Sequence, residues 1–408
     1  MILGKVSLSF NMKKFLLLLL LSLIISACAA KDTPPAVTQA DLQKILEAEW
    51  QTFTGGKALG AGIAIQILSP KGDYFLSTGM GENMHNAYHF RTASVTKTFT
   101  AAGIMLLHQQ GKLNIDDKIT ANIPGTLIPY VPYNIPHKDE ITIRMILMHR
   151  AGVFDLTNEN IKDNAASHNE PYVGLNYLEY VKGSDENHQF TLDELFGVIA
   201  RDQQYGFQPP ASQYNYSDTG YSLLGLIMER VSGKTYGDFV RDEFLLPNNL
   251  LNTSLPWQGA DQTLPAPFVP GYIWLNDALT EVTLANMSPF VANGNMITTP
   301  RDLAIWAKRL FTGKAGLTMD TVEMMKTGLP SSAGNTYGLG VQFSEKTGYG
   351  HGGDHEGYIT LMFYKPEQDL AYVIMVNVWD LSNYPDSIIA QHVFMTATAN
   401  KIFAWMGF

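Results

Sequence analysis

The stretch "TFTAAGIMLLHQQG", Thr98 to Gly111, limits the fold more than any other part of the chain. From Phe99 to Leu107 it is apolar nearly all the way round a helical wheel, so the predicted helix has no solvent face and must run through the interior of a larger domain. Gly111 supplies the residue tolerant of positive φ on which such a helix ends. Just ahead of the apolar run stand Ser94 and Lys97, three apart and therefore on one helical face. A buried ammonium is costly unless a partner or a chemical role holds it there. The turn that opens this core helix is therefore also a candidate site.

The rest of the chain can enclose such a helix: 408 residues, 46% hydrophobic and 16% charged, make an ordinary globular composition. Residues 1–27 are different. Lys13 and Lys14 precede "FLLLLLLSLIIS", and small residues lead to "ISAC" ending at Cys28. This reads as a signal peptide too short in its apolar core for a membrane span, with Met12 an alternative start. Its ending resembles a bacterial lipobox, which makes Cys28, the only cysteine, an expected lipidation site on the periplasmic face of the outer membrane. Cleavage would leave 25 basic against 38 acidic residues, a net charge of −13. Such a surface does not seek nucleic acid, and without further cysteines there is no disulfide framework.

Residues 28–38 read as a proline-containing tether and 39–50 as a helix. "GAGIAIQILSPKGDYFLSTG" reads as two strands about a turn, and "YITLMFYKPEQDLAYVIMVNV" as two more. "TPRDLAIWAKRLF" is a helix with proline near its start, and the tail from Ser387 is helical. Between them, 114–290 is loopier and helical where it is regular, with a polar insertion at 156–190 that reads as a site rim or a solvated loop. Strands near both ends and helices between imply an α/β (α+β) domain, 39–113 with 291–408, and an inserted mainly helical domain, 114–290.

Three constellations carry chemistry. In Ser94-Val95-Thr96-Lys97 a hydroxyl at a helix start lies one turn from a lysine able to take its proton if burial keeps some of it neutral. In "YNYSDTGYSLLG", Tyr216 precedes a helix; a tyrosine serves as general base only where a nearby cation, here Lys97, lowers its pKa. In "GYGHGGDHEGY", His351-Gly352-Gly353 precedes a strand, and its glycines let backbone approach a ligand closely. That edge is a candidate for the second N–H of an oxyanion hole, with the Ser94 N–H as the first.

In this order the three resemble the penicillin-recognising serine hydrolases: class C β-lactamases, D-Ala-D-Ala carboxypeptidases, D-aminopeptidases and related esterases. The likeness runs from about residue 40 to 400 and includes "FRTASVTKTFTAAG", "GKLNIDDKI", "ITIRMILMHRAG", "TTPRDLAIWAK" and "GHGGDHEGY". It implies a β-lactamase/transpeptidase-like fold, an antiparallel sheet packed by terminal helices, with the site between sheet and helical region. By the same resemblance Ser94 is acylated, Lys97 and Tyr216 share the proton work, His351 stands where relatives carry the Lys of K-T-G, and the N–H of Asp354, beside Gly353, completes the oxyanion hole. Asp218 departs from the usual Asn, which puts its contact to a substrate carbonyl in doubt, since an ionised Asp only accepts.

The literal Lys346-Thr347-Gly348 reads as a turn rather than the third motif. Gly233-Lys234-Thr235 is no P-loop, because Met228 stands where its first glycine belongs. A metal shared by His351 and His355 is disfavoured by the roughly 13 Å spanned by four strand residues. The expected protein is a lipid-anchored serine hydrolase without cofactor or metal, acting on a small-molecule or peptide substrate. The alternatives are a penicillin-binding sensor that stays acylated and a carboxylesterase. Asp218, Asp354 and Glu356 near the pocket would disfavour a substrate with a free carboxylate and favour D-amino-acid amides or esters with a free ammonium.

Overall fold

The β-rich segments from the two ends of the chain meet in one eight-stranded antiparallel sheet. Its order is Gly72–Thr78, Ile63–Ser69, Leu370–Val376, Tyr358–Lys365, Gly348–His355, Gln342–Ser344, Thr336–Tyr337 and Leu329–Pro330. The seam between the termini is in register from Ile63 opposite Val376 to Leu68 opposite Ala371. The computed structural model describes residues 37–56, 60–207, 213–332 and 334–408; the expected leader, Cys28 and nearly all of the tether lie outside them.

Side chains alternate between the faces of a strand, and aromatic contacts show which helix covers which face. Phe363 and Tyr372 are cross-strand partners, and the Tyr372 ring lies 4.9 Å from Phe403 of the C-terminal helix Asp386–Trp405. The N-terminal helix Gln39–Thr54 shares that layer, with Phe53 stacked on Phe394 at 4.1 Å. Tyr364 points the other way and stacks on Phe311 of the helix Pro300–Phe311. That helix starts as its sequence suggests, with Pro300 in the first turn and the Thr299 side chain capping the Asp302 N–H.

The apolar helix lies one layer further in. Phe99 stacks on Trp306 at 3.8 Å, and the Trp306 indole N–H donates to Thr98 Oγ1 at 3.0 Å. Every residue from Lys97 to Leu107 is buried, and Gly111 follows with φ +70°. Truncating Ile104 or Leu107 to alanine would cost about 2–5 kcal/mol each.

The 114–290 segment supplies short helices and the long Asp218–Ser232 helix, but also a hairpin, Tyr272–Leu275 with Ala278–Glu281. Tyr272 pairs in parallel with Val378, which makes a separate three-stranded sheet and ties this segment to the chain just past the Leu370–Val376 strand. The signal for it was present in "YIWLNDALTE": β-formers on both sides of Asn276-Asp277, which adopt φ of +51° and +59°.

Candidate active site

Ser94 sits in a 3-10 turn, Ala93–Thr96, and the α-helix proper starts at Lys97. Ala93 takes a left-handed φ of +49°, a strained conformation for alanine directly before the serine. Lys97 is wholly buried, and its Nζ lies 2.9 Å from Ser94 Oγ, 2.5 Å from Asp218 Oδ1 and 2.8 Å from the Asn293 carbonyl oxygen. An ammonium would fill all three contacts as donor. The free base would keep two N–H bonds, to Asp218 and Asn293, and turn its lone pair to the Ser94 proton. Burial lowers the Lys97 pKa, while Asp218 opposes the shift.

Tyr216 and Asp218 flank the N-cap of the Asp218–Ser232 helix, where Ser217 Oγ accepts from the Gly220 N–H. Tyr216 lines the same cavity as Ser94, so the second constellation reaches the first. The lowered pKa that a resting phenolate needs is not found at Tyr216. Burial, then the Asp218 charge, hold the Tyr216 pKa well above 10. Lys97 Nζ lies over the ring, 4.9 Å from its centroid, with its charge answered by Asp218. Tyr216 is therefore a neutral phenol at rest.

Asp218 does not stand where only a substrate carbonyl would meet it: Oδ1 pairs with Lys97, and Oδ2 accepts from Asn158 Nδ2 at 3.1 Å. The same amide nitrogen donates to buried Asp155 Oδ2 at 2.9 Å. Burial and the neighbouring Asp218 push the Asp155 pKa up to about 7. Asn158, Asp155 and Asn293 were not singled out in the sequence, because each contributes one polar atom from a loop with no periodic pattern.

The strand Gly348–His355 forms the opposite wall. It pairs with Gln342–Ser344 only through Gly350, which leaves 351–355 without a strand partner on that edge among the described residues. The Gly352 N–H points to the free edge, where it donates to Gln342 Oε1 at 3.1 Å. N–H directions alternate along a strand, so the Asp354 N–H points the same way. Gly353 packs against the nucleophile turn: a Cβ there would lie 2.2 Å from the Thr92 carbonyl oxygen and 2.9 Å from Ser94 N. Only glycine permits this approach, which sets the strand edge carrying Asp354 against the turn carrying Ser94. The Asp354 carboxylate turns to His392 of the C-terminal helix, 2.8 Å from its Nε2.

His351 lines the site, while Lys346 is exposed in the preceding turn. Unlike the lysine of K-T-G, His351 carries no charge here. It is 1% exposed, and burial, then the Lys97 charge, lower its pKa to about 3. The imidazole is neutral. Its Nδ1 bonds the Gly352 carbonyl, and its Nε2 lies 2.9 Å from the Tyr337 hydroxyl.

Ser94 opens onto two cavities. One of about 430 Å³ is lined by Tyr214, Tyr216, Tyr337, His351 and His392, among others, and by no lysine or arginine among the described residues. The other, about 300 Å³, carries Glu179, Glu186, Asp218, Asp354 and Glu356 with one lysine among the described residues, Lys182, paired to Glu179. Thr157, Asn158, Glu179, Lys182 and Glu186 come from the 156–190 insertion, which therefore rims the cleft.

A serine at the head of a buried helix, a tyrosine loop and a glycine-rich strand edge, set between a large antiparallel sheet and helices, define the β-lactamase/transpeptidase-like class. The chain belongs to the beta-lactamase family, whose model matches residues 61–390. Penicillin-binding protein 4* of Bacillus subtilis (strain 168) is 24% identical over 322 residues, 74% of this chain and 64% of that protein. Protein flp of Staphylococcus aureus (strain NCTC 8325 / PS 47) is 27% identical over 225 residues, 53% of this chain and 38% of that protein. The chain thus spans less than two thirds of the length of these relatives. Among solved structures, a D-stereospecific amidohydrolase from Streptomyces sp. is 25% identical with TM-score 0.67, covering 86% of this chain and 98% of that one. D-amino acid amidase from Ochrobactrum anthropi SV3 shares the fold, at 22% identity and TM-score 0.68, with 88% and 99% covered.

Proposed function

We propose that the protein is a serine hydrolase acting through an acyl-enzyme on amide or ester bonds of small neutral or cationic substrates, with D-amino-acid amides and esters foremost. The observation that carries the reaction is the contact of Ser94 Oγ with Lys97 Nζ at 2.9 Å, inside a site that lowers the lysine pKa. Free-base Lys97 takes the Ser94 proton as Oγ attacks the carbonyl, and the ammonium formed is held by Asp218 and the Asn293 carbonyl. The oxyanion accepts from the Ser94 and Asp354 N–H groups. Tyr216 enters protonated and gives its proton to the leaving group. In deacylation its phenolate takes a proton from the attacking water, and Lys97 returns its proton to Ser94, which closes the cycle.

The charge around Ser94 supports the substrate class. Lys97 is committed to Asp218, His351 is neutral, and the other lining charges are predominantly carboxylates. A substrate carboxylate about 8 Å from one unpaired acid at an effective dielectric near 20 meets about 2 kcal/mol of repulsion, roughly thirtyfold in rate. The D-amino-acid component rests on the Streptomyces amidohydrolase likeness. Export and lipid anchoring through Cys28 belong to the same reading, on the strength of the segment from Lys13 to Cys28.

The test compares kcat/KM for D-alanyl p-nitroanilide, its L-enantiomer and a peptide ending in free D-Ala-D-Ala. The proposal expects the D-anilide to lead both. A preference for the free carboxylate would remove the charge argument, and equal turnover of the enantiomers would remove the D-amino-acid assignment.

A further inference from the structure

His149 lies outside the three constellations, yet it grips the segment on either side of Tyr216. Its carbonyl accepts from the Asn215 N–H at 2.8 Å, and its Nδ1 accepts from the Ser217 N–H at 3.1 Å. Between those two tethers its ring lies against the Tyr216 ring, with centroids 4.1 Å apart. The residue is buried and holds a left-handed φ of +54°, a conformation that a histidine keeps only when its surroundings impose it.

The hydrogen bonds leading out of His149 have a direction that can be worked out atom by atom. A backbone N–H can only donate, so His149 Nδ1 carries no proton and a neutral ring must carry it on Nε2. That Nε2–H faces the Tyr337 hydroxyl at 3.2 Å and donates to it. At the far end a carbonyl can only accept, so His351 Nδ1, bonded to the Gly352 oxygen, carries the proton and its Nε2 does not. The Tyr337 hydroxyl then donates to His351 Nε2 at 2.9 Å. Its other neighbour, the Tyr221 hydroxyl, is at 3.5 Å and is spent on the Leu147 carbonyl at 2.7 Å. Reversing any link would leave two donors or two acceptors face to face.

We infer that His149 is a positioning residue: through Tyr337 it locks the Tyr216 loop to the strand carrying His351 and the Asp354 N–H, with the two histidines held as opposite neutral tautomers. The proton-transfer side of the cleft and the oxyanion side thereby share one buried, fully directed chain. Both rings are buried, and burial, then the Lys97 charge, disfavours a proton on either, which keeps the chain intact across neutral pH. His351 on this account supports the site from within and does not meet the substrate as a charge.

The kinetic part of the inference rests on the serine-hydrolase reading; the tautomer part does not. In protein labelled with nitrogen-15 histidine, long-range proton–nitrogen spectra should show His149 protonated on Nε2 and His351 on Nδ1. Neither should become an imidazolium between about pH 5.5 and 9, with His149→Asn and His351→Asn used to assign the signals. Tyr337→Phe should lower kcat by about 10- to 100-fold, the scale of small misplacements of reacting groups, with KM changed less than about threefold and the His149 Nε2 resonance shifted. His149→Asn, which keeps an acceptor for Ser217 but cannot reach Tyr337, should give a similar kcat. Matching tautomers in the two rings, or an imidazolium in that pH range, would overturn the directed chain even if neither variant folds. Wild-type kcat in a folded Tyr337→Phe would overturn the positioning role. Turnover retained by Ser94→Ala would instead remove the hydrolase reading and leave the tautomers as the standing test.

Discussion

Replacing Asp218 with Asn should move the acid limb of the kcat/KM profile to lower pH. The carboxylate stabilises the Lys97 ammonium, so its removal makes the lysine easier to deprotonate and raises the free-base fraction at any given pH. Lys97 Nζ and Asp218 Oδ1 are 2.5 Å apart. At an effective dielectric near 20 that separation gives a gross attraction of about 7 kcal/mol. Shifts caused by one opposite charge run to about 1–3 pH units once desolvation is included. The structure places the result at the low end of that range. Asp155 is held up to about 7 partly by Asp218; once Asp218 is neutral, Asp155 ionises more readily and replaces some of the lost negative charge beside Lys97. The expected displacement is therefore about one unit in Asp218→Asn and about two in the Asp155→Asn, Asp218→Asn double variant. The assay is hydrolysis of p-nitrophenyl butyrate, which has no titrating group, followed at the isosbestic wavelength of p-nitrophenol. The limb position is independent of any loss in plateau rate. A limb that stays in place, or moves to higher pH, would refute Lys97 as the base.

His351→Ala should impair turnover while Lys346→Ala leaves it near wild type; the reverse result would make Lys346 the third-motif residue. Because the folded pKa of His351 is about 3 against an unfolded value near 6.5, the unfolded chain binds the extra proton between those limits. Stability should therefore fall as pH drops from about 6.5 toward 3, by about 1.4 kcal/mol per pH unit for this group. His351→Asn should flatten that slope in urea unfolding measured between about pH 4 and 6, and an unchanged slope would mean the histidine is charged in the folded protein. Cys28→Ser should release the protein from membranes, since no helix among the described residues is long and apolar enough to cross one. Variant protein that stays in the membrane fraction after a salt wash would count against the anchor.

What could be read from the sequence was what periodicity and local spacing encode. The all-round apolarity of 99–107 announced a buried helix, and alternating β-formers announced the strands that join the two termini. The Ser94, Tyr216 and His351 motifs carried their own addresses, and all three face one cleft. What escaped was set by tertiary neighbours. Whether Tyr216 ionises depends on its burial and then on the Asp218 charge, and whether His351 is a cation depends on its burial and then on the Lys97 charge, neither of which is local in sequence. Asn158 bridges two carboxylates from a loop whose composition reads as solvated surface. The Asn276-Asp277 hairpin was legible by its turn chemistry but hidden in a segment dominated by helices.

The proposed reaction passes through a covalent acyl intermediate on Ser94. Acid-quenched intact-protein and peptide mass spectrometry, during turnover of a slowly hydrolysed p-nitrophenyl ester, measures it directly. One added acyl mass is expected on the peptide containing Ser94, decaying as product forms and absent from Ser94→Ala. Turnover without an adduct, by a Ser94→Ala protein that remains active, would contradict it.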